Sequence, residues 1–184
     1  MLRTFKEIGI ILKRRNIGEA DRIITVLTQY RGKIKVKAPG VRKTLSRRAS
    51  HIEPLNFSVL TLYQKSLLSF PILTEADSLE RFSSIKTDLK KIGFAYYLCE
   101  LVSDLCPQNQ ENQQVFLLLK QTLFELEKAT RFSSLISYFE KELLKLLGFW
   151  READLLENKN SKEVIEGILE RKLKTLRLLP LFAS

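Results

Sequence analysis

The spacing of apolar residues changes once along this 184-residue chain, close to residue 77. Before that point, apolar residues alternate with polar ones or form short β-branched blocks between turn residues, which is typical of β-strands. After it, they recur about every 3.6 residues, as they do along one face of an α-helix. The sequence therefore predicts a β-sheet domain over 1–78, an α-helical domain over 79–184, and an α+β fold class.

The β part contains five candidate strands, at 5–13, 20–29, 33–38, 52–63 and 67–76. A short step at 30–32 contains glycine and predicts a hairpin between the second and third strands, whereas 39–51 is a longer loop. Five strands with these connections fit a small closed barrel, of which the OB-fold is the five-stranded type. Strand count alone fits an SH3-like barrel nearly as well.

Four candidate helices follow. The first has an apolar face that consists of Leu89, Ile92, Tyr96 and Cys99. It stops at Pro107, and two further helices have apolar faces within 115–126 and 132–147. Gly148 comes where a left-handed residue commonly ends a helix, and a last helix is expected at about 162–175. These segments predict a helical bundle.

The net charge of +10 is concentrated in the β part. Residues 1–80 contain 15 Lys or Arg against 7 Asp or Glu, a net charge of +8, whereas the remaining residues contribute +2. A strongly basic surface attracts polyanions, so we expect the β domain to be the one that binds nucleic acid.

Several other classes of protein are not indicated. The longest apolar stretches fall short of the roughly 20 residues that span a bilayer, so we expect a cytoplasmic protein without membrane contact. The chain has no glycine-rich phosphate loop, no acidic pair of the D-x-D type and a single histidine, His51, so we expect no enzyme. Cys99 and Cys106 are too far apart on one helix for a disulfide and too few for a zinc site, so we expect buried thiols and no metal or other cofactor.

Residues 31–48 hold eight Lys or Arg and no Asp or Glu. Strict alternation places Lys33, Lys35 and Lys37 on one face of a strand, and the apolar residues between them face the core. Edge-strand lysines can merely be solvated, but a groove that follows phosphates requires such a run of one sign. The candidate nucleic-acid-binding residues are Lys13, Arg14, Arg15, Arg22, Arg31, Lys33, Lys35, Lys37, Arg42, Lys43, Arg47 and Arg48.

Aromatic side chains could add base stacking to these phosphate contacts. The candidates are Phe57, Tyr63 and Phe70, for which a place in the core is the alternative. In the helical part, a core position is also favoured for Phe124, Phe149, Trp150 and Phe182, with a groove for a partner peptide as the alternative.

Short motifs follow one another in a recognisable order. They are Gly9-Ile10-Ile11-Leu12-Lys13, Gly18-Glu19-Ala20-Asp21-Arg22, Arg31-Gly32-Lys33, Gly40-Val41-Arg42-Lys43, Ser46-Arg47 and Glu53-Pro54, with Leu173-Lys174-Thr175-Leu176-Arg177 at the far end. In this order and spacing they resemble the RecO family of bacterial repair proteins.

That resemblance implies an OB-fold barrel that carries a helical domain. It also implies a recombination mediator that binds single- and double-stranded DNA and anneals complementary strands without a nucleotide cofactor. The implied partners are RecR and the acidic C-terminal tail of single-stranded DNA-binding protein, with a functional link to RecA loading at the nucleoid.

The sequence departs from the family in one place. Many members carry a four-cysteine zinc module after the segment that corresponds to 146–149, whereas 151–161 is a short polar connection without cysteine. The resemblance therefore implies a short form without zinc. Two alternatives to DNA binding are a protein-interaction adaptor with a basic docking surface and an RNA-binding barrel.

Overall fold

The structure is a computed structural model that describes residues 3–66, 68–150, 160–170, 173 and 175. Its residues divide into two compact units. The first contains the residues up to Arg81 together with Pro107–Phe116, and the second contains Phe82–Cys106 together with residues from Leu117 onward. Strands make up most of the first unit and helices most of the second, so the predicted α+β class is confirmed.

The first unit is a closed five-stranded barrel. Its strands are β1 (Arg3–Ile17), β2 (Asp21–Thr28), β3 (Gly32–Ala38), β4 (Phe57–Gln64) and β5 (Ile72–Glu80). They neighbour one another in the order β1-β2-β3-β5-β4, and β1 closes the ring by pairing with β4. The parallel contact between β3 and β5 distinguishes this topology from an all-antiparallel SH3-like barrel, so the OB-fold prediction is confirmed.

One long strand closes the barrel because it is bent. The first half of β1 pairs with β4, and its second half pairs with β2. The register with β2 shifts between Ile11 and Lys13, and a bulge of this kind bends a strand and increases its twist. At Gly9 the two strands come so close that a Cβ atom would lie 2.5 Å from Val26 Cγ1, which is why the position holds glycine.

The barrel interior is apolar. Ile34, Val36 and Ala38 of β3 are buried there, as their alternation with lysines predicts. Residues of the other strands complete the core: Ile11, Ile24, Val26, Leu60, Leu62, Leu73 and Ala76. Burial of each large aliphatic side chain stabilises the fold by about 1.5–3 kcal/mol.

The predicted fourth strand at 52–63 begins too early. Residues Ala49–Ile52 form a short 3-10 helix, and β4 starts only at Phe57. The loop before it is held by side chains, because Asn56 donates to the carbonyl of Ser50 and the ring of His51 accepts from the Ser78 amide. The last predicted strand is likewise displaced, to Ile72–Glu80.

Among the described residues, five helices follow the barrel strands: α1 (Ser83–Thr87), α2 (Leu89–Leu105), α3 (Gln113–Lys128), α4 (Ser133–Leu146) and α5 (Ser161–Leu169). Asp88 caps α2 by accepting two backbone N–H groups, and Asn160 caps α5 in the same way with one. The predicted end before Pro107 is confirmed, and Gly148 has the expected left-handed φ of +77° after α4.

The apolar face predicted for α2 is partly wrong. Leu89 is 60% exposed and Tyr96 is 41% exposed, although Cys99 is buried as expected. The helix buries residues around most of its circumference, among them Ala95, Leu98 and Val102, so the 3.6-residue period cannot single out one face. Both cysteines are buried, and burial raises the pKa of Cys99 to about 12.

A buried carboxylate joins three helices of the second unit. The Tyr97 hydroxyl of α2 donates to Glu140 Oε1 of α4 at 2.6 Å, and the Ser161 hydroxyl of α5 donates to Glu140 Oε2 at 2.5 Å. Such bonds compensate the desolvation of the carboxylate.

The aromatic candidates of the helical part differ in burial. Phe124 packs edge-on against Phe82 with 5.0 Å between ring centroids, and Trp150 is buried, whereas Phe149 is exposed. Phe182, the connection at 151–159 and most of the closing motif at 173–177 lie outside the described residues. None of the helices in the described part of the chain has both the length and the apolar character that a bilayer crossing requires.

Candidate nucleic-acid interface

The strand register brings cations of β1 and β3 onto one face of the sheet. Lys13 of β1 lies opposite Thr25 of β2, and Thr25 lies opposite Lys35 of β3. Directly opposed residues of neighbouring strands point to the same side, so both lysines flank Thr25 on the outer surface of the barrel. The next row in this register consists of Arg15, Ile23 and Lys37.

A groove of ≈ 500 Å³ lies over these rows. Its lining consists of Lys13, Arg14, Arg15, Ile23, Thr25, Lys35 and Phe70. Every charged side chain in this lining is basic, and the aromatic ring comes from the connection between β4 and β5. A groove lined by several cations and an aromatic ring has the character of a site for phosphates and bases.

Lys33 does not belong to the exposed row, contrary to the sequence prediction. The residue is only 8% exposed, whereas Lys35 and Lys37 are exposed as expected. The alternation of β3 is regular, so Lys33 points to the predicted side of the sheet but is covered there.

The cover is Pro107–Phe116, which belongs to the barrel unit. The Asn109 amide donates to the Lys33 carbonyl at 2.9 Å, and Gln108 forms a parallel bridge with the same residue. At Gly32 a Cβ atom would lie 1.7 Å from the Gln110 carbonyl oxygen, so only glycine fits beneath this segment. A contact over such a distance along the chain leaves no signal in the local pattern of β3.

The basic residues of the first unit are partly neutralised by carboxylates from other segments. Glu53 forms ion pairs with Arg14 and with Arg22, the latter at 3.1 Å. Glu7 pairs with Arg31 at 2.7 Å. Carboxylates remote in sequence thus neutralise some of the cations of 31–48, a segment that itself contains no acidic residue.

Asp21 pairs with Lys37 at 3.3 Å and accepts a hydrogen bond from the Gly40 amide at 2.9 Å. The Gly40 N–H favours the ionised carboxylate and, with Lys37, holds the pKa of Asp21 below its ordinary value. The pair fixes the start of β2 beside the end of β3.

Two arginines of the long loop bind backbone carbonyls. Arg48 donates to the carbonyls of Leu73 and Pro39 at 2.6 and 2.7 Å, and Arg42 donates to the carbonyl of Gly18 at 3.0 Å. Lys43 and Arg47 are exposed on the same loop. The long loop thus contains both cations that hold its conformation and cations that face solvent.

Glu7 is a buried carboxylate beneath the barrel surface. Burial raises its pKa, and the pair with Arg31 opposes that rise. Its Oε2 atom has no hydrogen-bond partner among the described residues. The Arg31 guanidinium in turn lies 4.1 Å from the centroid of the Phe5 ring, a cation–π distance.

The three predicted stacking rings differ in accessibility. Phe57 is buried against Phe116, Tyr63 is half-buried, and Phe70 is 51% exposed in the basic groove. Tyr30, which sequence reasoning did not select, is 56% exposed. The sequence does indicate that this ring is accessible, because Tyr30 lies in the predicted hairpin turn between β2 and β3, where side chains commonly face solvent.

A metal centre is not formed by the part of the chain that the structure describes. It contains no group of three or more His, Cys, Asp or Glu side chains placed to hold an ion. The His51 ring forms hydrogen bonds with Ser78 and so helps to hold the loop that precedes β4.

Comparison with known proteins agrees with this architecture. Residues 1–82 match the family model for the N-terminal domain of recombination protein O, and residues 86–152 match the model for its C-terminal domain.

Among curated relatives, the chain is 38% identical to the DNA repair protein RecO of Roseiflexus sp. strain RS-1 over 147 residues, or 80% of this chain and 51% of that one. It is 34% identical to a Dehalococcoides mccartyi protein of the same name over 79% of this chain and 56% of that one. For the Moorella thermoacetica protein, also named DNA repair protein RecO, the identity is 36% over 78% of this chain and 53% of that one.

The chain spans about half the length of these relatives. Both domain matches fall in the family order, and together they cover the barrel and most of the described helices. The chain belongs to the RecO family of DNA repair proteins.

Proposed function

We propose that this chain binds DNA through the basic groove of its barrel and acts as a non-enzymatic mediator of recombination repair. The observation that carries the proposal is the groove at Lys13, Arg15 and Lys35, whose charged lining is wholly basic. Neutralisation of phosphates by such a groove releases counterions, which favours binding to any nucleic-acid backbone. Family membership supports DNA rather than RNA as the ligand.

The groove also suggests how two complementary strands could be annealed. Each strand carries one negative charge per nucleotide, so two strands repel one another until cations screen their phosphates. Cations on neighbouring strands of the barrel lower that repulsion while bases pair. The protein makes and breaks no covalent bond in this process.

We further propose that the chain acts together with other repair proteins. By resemblance to its family, the chain works with RecR, contacts the acidic C-terminal tail of single-stranded DNA-binding protein, and helps to load RecA onto coated strands. Its place would be the cytoplasm, at the nucleoid. Binding to bare DNA must be measured without these partners, because an adaptor with a basic docking surface would bind DNA only incidentally.

A charge-reversal experiment tests the groove. We expect the triple variant Lys13→Glu, Arg15→Glu and Lys35→Glu to lose at least about 100-fold in affinity for single strands and to lose annealing, since phosphate contacts dominate such binding. The matched control reverses three exposed lysines of the helical unit, Lys90, Lys141 and Lys162, and so changes the net charge equally.

The readouts are fluorescence anisotropy with labelled oligonucleotides and annealing of complementary strands, both with and without single-stranded DNA-binding protein. Equal losses in the groove variant and the control would show that net charge alone acts and would contradict the proposal. Tighter binding to matched RNA than to DNA would support the RNA-binding alternative instead.

A further inference from the structure

A second groove, of ≈ 440 Å³, adjoins the basic one on the barrel unit. Lys35 and Phe70 line both grooves, so the two form one continuous surface. The second groove differs in chemistry, because three aromatic rings line it: Phe5, Tyr30 and Phe70. Neither the family matches nor the names of the relatives assign a role to it.

Phe5 and Tyr30 contact neighbouring side chains, and Tyr30 and Phe70 are exposed. Glu7 fixes the Arg31 guanidinium at 2.7 Å, and that guanidinium covers the Phe5 ring at 4.1 Å. The Tyr30 hydroxyl accepts a hydrogen bond from Gln29 at 2.9 Å. Because Tyr30 and Phe70 are each about half exposed, their π-faces can receive a flat ligand without repacking of the core.

The remaining lining suits the edges of nucleobases. Gln108 and Asn109 contribute exposed amide side chains, which both donate and accept hydrogen bonds. Arg31 and Lys35 supply positive charge, and Glu111 is the acidic residue of the lining. Stacking surfaces, amides and cations are the combination that proteins use for unpaired bases.

We infer that this second groove binds unpaired bases of a DNA strand whose phosphates lie in the neighbouring basic groove, an inference that rests on the proposed function. Bases inside a duplex are stacked and paired and cannot reach the rings of Tyr30 and Phe70. The aromatic groove therefore favours single strands over duplex, whereas the basic groove binds both.

The test compares three probes: a thymidine oligonucleotide, an abasic strand of the same length and charge, and a blunt duplex. The wild-type chain should bind the thymidine strand about tenfold more tightly than the abasic strand, as expected for stacking of one or more bases. The double variant Tyr30→Ala and Phe70→Ala should bind both strands with the same affinity. Tyr30→Ala alone, whose ring lines only the second groove, should reduce the preference for thymidine and bind the duplex as the wild-type chain does.

Conservative variants distinguish the loss of a stacking ring from a general loss of folding. Tyr30→Phe and Phe70→Tyr keep a ring at each position and should restore the preference for thymidine over abasic strands. If the wild-type chain binds both strands with equal affinity, the inference of base stacking is contradicted, although DNA binding itself is not. The exposed rings would then be a candidate contact for a protein partner. If none of the three probes binds, the proposed function itself fails.

Discussion

Arg48 has the chemistry of a phosphate ligand, but its guanidinium already donates to the carbonyls of Leu73 and Pro39. Hydrogen bonds from a charged donor contribute about 1.5–3 kcal/mol each at most. We therefore expect Arg48→Ala to lower the free energy of unfolding by roughly 1–3 kcal/mol in urea titrations. Lys35→Ala, at an exposed position of the groove, should instead weaken DNA binding and leave stability unchanged. Reversed effects would show that Arg48 contacts DNA.

Glu7 gives a prediction about pH. Its pKa is raised above the ordinary value of 4.5, chiefly by burial, so the folded state takes up a proton more readily than the unfolded state does. The ionised group therefore costs stability at neutral pH, and this cost disappears as the pH falls through the folded pKa toward 4.5. Glu7→Gln cannot titrate. The stability of wild type relative to this variant should rise between pH 7 and 4.5 in urea titrations, and a constant difference would contradict the assignment.

At the scale of elements, the segment Pro107–Phe116 depends on one glycine of β3. Gly32 has a φ of +63°, and a Cβ there would lie 1.7 Å from the Gln110 carbonyl oxygen. Gly18 has a similar φ of +53° but open space around it, so Gly18→Ala costs only the backbone strain of about 1 kcal/mol.

We expect Gly32→Ala to destabilise the chain clearly more than Gly18→Ala, and to increase hydrogen exchange at the Asn109 amide. Equal destabilisation by both substitutions, with that amide still protected, would mean that Pro107–Phe116 is not anchored at β3.

How far the sequence predicts each element depends on the range of the contacts that form it. Alternation in β3 predicted the inward side of Ile34 and Val36, and Pro107 and Gly148 predicted helix ends, because these signals are local. The burial of Lys33 and the pairing of Arg22 with Glu53 depend on segments far away in the chain, so no local pattern reports them. The registers of β1 with β2 and of β2 with β3 bring the groove cations together, and they cannot be predicted from the sequence for the same reason.

For the whole molecule, the number of cations that contact phosphates can be obtained from the salt dependence of DNA-binding affinity. Each phosphate neutralised on a single strand contributes about −0.7 to the slope of log affinity against log salt concentration. The four basic residues that line the groove predict a slope of about −3, whereas contact by all twelve sequence candidates would give about −8. The intramolecular pairs of Arg14, Arg22, Arg31 and Lys37 lower the number of cations available to phosphates, which favours a slope of about −3 or smaller in magnitude.

The measurement is a series of anisotropy titrations from low to physiological salt, repeated for two neutral substitutions. Lys35→Gln should reduce the magnitude of the slope by about 0.7, since one phosphate contact is lost. Lys141→Gln, on the helical unit, should leave the slope unchanged. A wild-type slope near −8 would place DNA across the long loop as well as the groove, and a slope near zero would mean that phosphates are not contacted at all.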